Sequence, residues 1–151
     1  MAQREAAAEW LSRNPPADSH QALAMRLLVN QRLGKPANDL KPLLKSLLGQ
    51  QNEDGGWSQS KKMKSDAFAT GLALYVLSGQ KTERVEKAVR RAQAFLGKTQ
   101  RPDGSWPMAS RAAEPSGPGP AGDLRPIRYF GTAWATIGLV RSSPGNAEKA
   151  N

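Results

Sequence analysis

Two segments of this chain repeat one motif at a fixed distance, and this repeat constrains the fold more than any other feature. Residues 44–57 read LKSLLGQQNEDGGW, and residues 93–106 read QAFLGKTQRPDGSW, 49 positions later. Each copy runs from an apolar helix end into a glutamine, three further residues, a glycine, one variable residue and a tryptophan. A period of this length is typical of architectures in which one supersecondary unit packs against the next.

Hydrophobic periodicity predicts an all-α fold with six helices. Three are apolar around most of their circumference, as in helices surrounded by other helices, and we name these the inner helices: residues 18–33, 65–78 and 128–141. Three carry an apolar stripe at i, i+3, i+4 and i+7, and we name these the outer helices: residues 4–13, 38–51 and 82–100. The alternating order, outer then inner, predicts three helical hairpins. The predicted N-caps are Asp18 or Ser19, Asn38, Ser65 and Thr82.

The hairpins form one predicted domain, residues 1–141. Residues 107–127 are rich in proline and glycine and interrupt the last hairpin with a predicted loop. Such a loop is long for a compact domain, which indicates a functional or mobile segment. Residues 142–151 are polar and predict a flexible tail.

Missing residue types narrow the chemistry that the chain can perform. There is no cysteine, and His20 is the only histidine. Disulfides, thiolate zinc sites and cysteine nucleophiles are therefore excluded, and histidine metal clusters and Ser-His-Asp triads are disfavoured. We expect neither a metal nor a cofactor.

The net charge of +9 and the pI of about 10.3 indicate anionic partners, either nucleic acid or an anionic membrane surface. A solvated basic exterior is the favoured alternative, because the cations fall on the polar faces of the predicted helices. Peripheral contact with an anionic membrane stays open, and nucleic-acid binding is disfavoured. The sequence contains no apolar run of membrane-spanning length and no visible secretory signal, so we expect a cytoplasmic or membrane-peripheral location.

The repeated glutamine, glycine and tryptophan suit a structural role. A glutamine at a helix C-terminus can satisfy backbone groups that the helix leaves unpaired. The glycine permits a backbone reversal, and the tryptophan can cover the glutamine amide and fill the gap between hairpins. The candidate structural residues are Gln51, Gly55, Trp57, Gln100, Gly104 and Trp106.

The second copy resembles the "QW" repeat of the squalene-hopene cyclase and oxidosqualene cyclase family. The resemblance is carried by the pattern Arg91-Ala92-x-x-Phe95-Leu96-x-x-x-Gln100-x-x-x-Gly104-x-Trp106. The first copy departs from this pattern upstream, where Ser46 replaces an aromatic residue. Near the start of the chain, the residues Ala7-x-x-Trp10-Leu11 resemble the front half of the unit, with Pro15 in place of the glutamine.

The resemblance implies part of an (α/α)6 toroid, in which inner helices line an apolar cavity and outer helices face solvent. A closed toroid has about six hairpins, whereas three are predicted here. The chain is therefore expected to be one part of a longer protein, or a half-ring completed by a homodimer. Protein prenyltransferases share this architecture, but their zinc site uses a cysteine that this chain lacks.

In the resembled family, an Asp-x-Asp-Asp motif followed by Thr-Ala protonates a polyene at the start of an inner helix. The corresponding residues 64–70 contain a single acid, Asp66, which is our only candidate catalytic residue. Lysines at positions 61, 62 and 64 are expected to lower its pKa, and the alternative role is a helix first-turn carboxylate. The candidate substrate-cavity residues, with core packing as their alternative, are Phe68, Tyr75, Tyr129, Phe130 and Trp134.

The sequence thus leads to two functional hypotheses. In the first, the chain belongs to a squalene-hopene-cyclase-like protein that binds or cyclises a polyisoprenoid, which would make it an isomerase. In the second, it is a non-catalytic toroid-type module that binds an apolar ligand or a partner protein. The missing Asp-x-Asp-Asp motif weakens the first.

Overall fold

A computed structural model of the chain describes residues 2–14, 19–61, 63–108 and 125–143. The helices are α1 (Ala2–Arg13), α2 (His20–Arg32), α3 (Ala37–Gly49), α4 (Ala67–Leu77), α5 (Glu83–Thr99) and α6 (Arg125–Ser142). Within these ranges, extended pairing is limited to one isolated bridge between Trp57 and Asp66. The all-α prediction is confirmed. Most of the predicted loop and tail, residues 109–124 and 144–151, lies outside the described residues.

Side-chain caps begin three of the helices. Ser19 Oγ accepts a hydrogen bond from the backbone N–H of Ala22, and Thr82 caps α5 in the same way. The α4 cap is Asp66, one residue after the predicted Ser65. The prediction of Asn38 as a cap is wrong, because α3 begins directly after Pro36, whose fixed φ of −61° leads into the helix without a side-chain bond.

The three inner helices lie in a row. Helix α2 packs against α3 and α4, and α4 packs against α5 and α6. The outer helices α3 and α5 each pack mainly on the inner helix that precedes them in the chain, whereas the predicted hairpins paired each with the inner helix that follows. Loop length explains the difference. Residues 33–36 and 78–82 are short connections that make α2–α3 and α4–α5 neighbours, while longer segments lead into α4 and α6.

Helix α4 is the centre of the core, with all its residues buried except the partly exposed Tyr75. Helix α6 differs from the prediction of a surrounded helix, because one of its faces is exposed to solvent. The exposed large apolar residues of this helix are Tyr129, Phe130, Ile137 and Val140. The reason is the position in the row, since among the described helices α4 has an inner helix on each side, whereas α6 has one on a single side.

Two glycines set the close approach of α4 and α6. A Cβ atom at Gly71 would lie 2.3 Å from the carbonyl oxygen of Trp134, and one at Gly138 would lie 2.4 Å from that of Gly71. No side chain fits at either position while the helix backbones stay in contact.

We expect Gly71→Ala to lower the free energy of unfolding by about 1–3 kcal/mol, because the added methyl group forces the backbones of α4 and α6 apart. Gly97→Ala is the matched control, since Gly97 also lies within a helix but has nothing within 4 Å of its Cβ position. The control should raise stability by about 0.5–1 kcal/mol. Urea unfolding measures both, and equal effects would contradict the packing described.

Candidate functional site

We name the loop segment from the glutamine to the tryptophan of each repeat a clasp. The first clasp, residues 51–57, connects α3 to α5. Gln51 Nε2 donates to the carbonyl oxygens of Gly55 and of Ala88 in α5, both at 2.9 Å. Trp57 Nε1 donates at 2.8 Å to the carbonyl oxygen of Leu47, in the last turn of α3. Gly55 has φ +91°, which an L side chain rarely adopts. Trp57 thus binds a carbonyl group at the C-terminal end of α3, and Gln51 connects the loop to the interior of α5.

The second clasp, residues 100–106, repeats these bonds at the end of α5. Gln100 Nε2 donates to the carbonyl oxygen of Gly104 at 3.0 Å, and Trp106 Nε1 donates to that of Leu96 at 2.8 Å. Gly104 has φ +81°. Both indole rings are buried. The sequence repeat therefore corresponds to one repeated hydrogen-bond pattern.

Each clasp also binds the next inner helix, at the fourth residue of α4 and at the eighth residue of α6. The backbone N–H of Trp57 donates to Thr70 Oγ1 at 2.9 Å, and that of Trp106 donates to Thr132 Oγ1 at 3.2 Å. Sequence reasoning missed both threonines. A signal was present, since each is a hydroxyl residue in the first turns of an apolar inner helix.

The two clasps differ in what covers them. Arg91 of α5 lies on the first clasp, where its Nη2 donates to the carbonyl oxygens of Asn52 and Glu53, and its Nη1 donates to Gln51 Oε1. A Cβ atom on Gly55 would lie 2.6 Å from the carbonyl oxygen of Arg91. The sequence placed this arginine on a solvated helix face, whereas the structure makes it part of the clasp.

No described helix takes the corresponding place on the second clasp. The nearest atom to a Cβ built on Gly104 is Gln100 Nε2, at 4.0 Å. Arg101 stands where the first clasp has Asn52, so this loop carries its own cation. The second clasp has the same internal bonds as the first, but the side that α5 covers in the first clasp is open among the described residues.

Asp66 is the buried N-cap of α4. Its Oδ1 accepts from the backbone N–H of Ala69 at 2.9 Å, and its Oδ2 accepts from Gln59 Nε2 at 3.0 Å. Burial raises the pKa of this carboxyl and outweighs the hydrogen bonds to Ala69 and Gln59, which lower it. The predicted lowering by nearby lysines is wrong in direction, because Lys61 and Lys64 are exposed to solvent, which screens their charge.

Asp66 also lines a cleft of about 650 Å³ at the start of α4. The lining combines apolar side chains, Met63, Pro107 and Met108, with three cations, Lys64, Arg101 and Arg128. The carboxyl thus shares a cleft with three cationic side chains, and its two oxygens accept hydrogen bonds from Ala69 and Gln59.

Four of the five candidate cavity residues meet at the α4–α6 interface. Phe68 stacks on Phe130 with ring centroids 5.2 Å apart, and Trp134 meets Phe68 and Tyr75 edge to face, at 6.2 and 5.9 Å. The Arg141 guanidinium carbon lies 4.5 Å from the centre of the Tyr75 ring. These contacts correspond to the core-packing alternative.

Tyr129 lies apart from these four aromatic residues. It is 74% exposed and lines a separate cleft of about 410 Å³ with Asp103, Ser105, Arg128 and Thr132. The five candidate residues therefore do not line a single cavity, because Tyr129 lies in a different cleft from the other four rings.

His20 is buried and connects α2 to α4. Its Nε2 lies 2.9 Å from the carbonyl oxygen of Ala69, and its Nδ1 lies 3.3 Å from the Gln50 side-chain amide. Burial lowers the pKa of the imidazole, so the neutral ring donates from Nε2 to Ala69.

Among residues 2–14, 19–61, 63–108 and 125–143, no cluster of three or more His, Cys, Asp or Glu residues could hold a metal ion. None of the described helices has the length and apolarity needed to cross a membrane. No model of a known protein family, no curated protein and no solved structure matches this chain.

The two clasp glutamines are a matched pair for mutation. Gln51→Ala removes the Gln51 bond to α5 and leaves the Ala88 carbonyl without this donor, while the Arg91 bonds to Asn52 and Glu53 stay, so we expect a loss of about 1–3 kcal/mol in unfolding free energy. Gln100→Ala removes one exposed bond and should cost less than about 1 kcal/mol. Chemical denaturation of the two variants measures the difference. If Gln100→Ala lowers the free energy of unfolding as much as Gln51→Ala does, the hydrogen bond from Gln51 to Ala88 does not stabilise the fold.

The buried imidazole of His20 should make the stability of the protein depend on pH. Because its pKa is lower in the folded state than the ordinary 6.5, the unfolded chain binds the proton more readily. The contribution of neutral His20 is complete above pH 6.5 and is lost as the pH falls through the folded-state pKa. Unfolding followed from pH 8 to pH 5 should show this loss. His20→Gln keeps an N–H donor without a titrating ring and should flatten the curve, and an unchanged curve would refute the assignment.

Proposed function

We propose that this chain is a non-catalytic binding module, built as an arc of paired helices of the terpenoid-cyclase type, that holds an amphipathic partner helix. The binding surface is the α6 face, which consists of Tyr129, Phe130, Ala133, Thr136, Ile137 and Val140, together with the second clasp. The observation that carries the proposal is the exposure of these residues, which include four large apolar side chains. A contiguous exposed apolar surface of this kind marks an interaction site.

Comparison with α4 supports a missing neighbour at the α6 face. Thr70 and Thr132 accept equivalent bonds from the two clasps, which aligns Phe68 with Phe130 and Tyr75 with Ile137. In α4, Phe68 and Tyr75 contact the next inner helix through rings of Phe130 and Trp134. The aligned residues of α6 are 52% and 45% exposed. A further helix on this face would give α6 the environment that α4 has.

The second candidate function is binding or cyclisation of a polyisoprenoid, with Asp66 as the acid. Burial of the carboxyl, the resulting rise in its pKa and the adjoining cleft favour it. Two features weigh against it. The cleft has one carboxyl among three cations, and the aromatic faces that could stabilise a carbocation already contact one another. We therefore place this function second.

A peptide with the sequence of residues 82–100 tests the proposed surface, because α5 is the helix that covers the first clasp. The peptide carries Arg91→Ala, since its arginine would otherwise meet Arg101 on the second clasp. We expect saturable binding by fluorescence anisotropy, weakened at least about tenfold by Ile137→Glu in the protein, which buries a charge in the apolar contact. Ser46→Glu, on the exposed side of α3, is the control of equal charge and should leave binding unchanged.

Incubation with squalene separates the two candidates. The non-catalytic module yields no polycyclic product. A product that forms with the unaltered chain and is absent with Asp66→Asn would overturn the non-catalytic proposal in favour of cyclisation. Absence of peptide binding to the protein would remove the proposed role of the α6 face.

A further inference from the structure

We propose that Asp103 in the second clasp is a site of spontaneous isoaspartate formation, and that Asp54, at the equivalent position of the first clasp, is protected from this reaction by α5. Both aspartates precede a glycine, and the sequence contains no other Asp-Gly pair. The proposal concerns a covalent modification of the chain and is independent of the proposed function. It rests on hydrogen bonds within the two clasps and on those that α5 and Ser65 make to the first.

Isoaspartate forms when the backbone nitrogen of a residue reacts with the side chain of the aspartate before it. The nitrogen attacks Cγ of the protonated carboxyl, and the new C–N bond closes a five-membered succinimide ring. One carboxyl oxygen leaves as water, taking the carboxyl proton and the amide proton. A second water then opens the ring at either carbonyl, which restores aspartate or gives isoaspartate. Glycine favours the attack, because it has no side chain to obstruct the approach of its nitrogen.

The closed clasp opposes this reaction at both sites. The backbone N–H of Gly55 donates to the carbonyl oxygen of Asn52 at 3.0 Å. The backbone N–H of Gly104 donates in the same way to the carbonyl oxygen of Arg101, at 2.9 Å. Attack by either nitrogen requires its hydrogen bond to break. The reaction therefore proceeds from molecules in which the clasp has opened locally, and the ease of opening determines the rate.

Asp54 is held by residues outside its own loop. Its Oδ1 accepts from the backbone N–H of Gly56 at 2.9 Å and from Ser65 Oγ at 2.8 Å. Arg91 of α5 donates to the carbonyl oxygens of the two residues that precede Asp54, both at 2.9 Å. Opening the first clasp around Asp54 must break these bonds as well as those within the loop, so the open form is rare.

Asp103 is held by its own loop alone, as far as the described residues show. Its Oδ1 accepts from Ser105 Oγ at 2.7 Å and from the backbone N–H of Ser105 at 3.0 Å. These hydrogen bonds lower the pKa of the exposed carboxyl and keep it ionised, which is the less reactive form. When the loop opens, the bonds to Ser105 are lost, the protonated fraction of the carboxyl rises and the nitrogen of Gly104 is released.

The modification changes the spacing on which the second clasp depends. Isoaspartate at position 103 adds one carbon atom to the main chain before Gly104. Gln100 Nε2 donates to the carbonyl oxygen of Gly104, and the backbone N–H of Trp106 donates to Thr132 Oγ1 in α6. A longer main chain between Gln100 and Trp106 cannot keep both bonds in the same geometry. The modified clasp should therefore connect α5 to α6 less firmly.

Ageing of the intact, folded chain tests the difference between the clasps. The protein is incubated at neutral pH, and isoaspartate is measured by labelling with an isoaspartyl methyltransferase and by chromatography of tryptic peptides. Trypsin places the two sites in different peptides, because lysine and arginine residues lie between them. Each rate is divided by the rate at the same site in the chain unfolded by urea, which corrects for the neighbouring residues.

We expect the corrected rate at Asp103 to exceed that at Asp54 at least about fivefold, because opening the first clasp breaks the additional bonds to Ser65 and Arg91. Equal corrected rates, or a faster reaction at Asp54, overturn the proposal. Asp103→Glu is the control for the site, since a glutamate cannot close the five-membered ring. The isoaspartate signal of this peptide should then disappear, and a signal that persists also overturns the proposal.

Arg91→Ala tests the protection by α5. We expect the rate at Asp54 to rise at least about threefold, because the bonds from the guanidinium to the loop are removed, while the rate at Asp103 stays the same. Arg90→Ala is the matched control, since Arg90 is exposed beside Arg91 but pairs with Glu86. The control should change neither rate. No rise at Asp54, or an equal rise at both sites, refutes the protection.

Discussion

The indole hydrogen bond of each clasp is the interaction on which the rest of the structure depends. Trp57 and Trp106 each donate from Nε1 to a carbonyl oxygen in the last turn of an outer helix, at 2.8 Å. The backbone N–H of the same residue donates to a threonine of the next inner helix. One buried residue thus joins three consecutive features: the end of an outer helix, a reversed loop and the next inner helix. Because both polar ends of the residue are satisfied inside the core, the position of each inner helix relative to the outer helix before it is defined.

The two clasps also differ in whether an outer helix covers them. A clasp is complete only when the next outer helix lies across it, as Arg91 and Ala88 of α5 do on the first. The second clasp is formed but uncovered among the described residues, and α6 beside it carries apolar side chains into solvent. In repeat architectures each unit is stabilised by its neighbours, so an uncovered end is where association is energetically favoured. The proposed binding role follows from this one difference between two otherwise matching loops.

Asp66 illustrates how burial can outweigh sequence context. Three lysines within a few residues predicted a lowered pKa, but the carboxyl lies inside the protein while Lys61 and Lys64 face water. Desolvation acts fully on the buried group, whereas solvent screens the exposed charges. Burial acts in the same way on His20, where it lowers the pKa of the imidazole. The structure turns the ring inward to Ala69 of α4.

The sequence by itself determined the helices, their approximate ends and the two clasps, because periodicity, caps and the Gln-x-x-x-Gly-x-Trp spacing are local properties. It could not determine which outer helix packs on which inner helix, since that depends on loop lengths acting together with side-chain fit. The role of Arg91, the contact of Gly71 with Gly138 and the exposure of α6 were decided only by the tertiary structure. Each depends on contacts between residues distant in sequence. Arg91 binds the carbonyl oxygen of Asn52, Gly71 contacts Gly138, and one face of α6 is exposed because no other described helix packs on it.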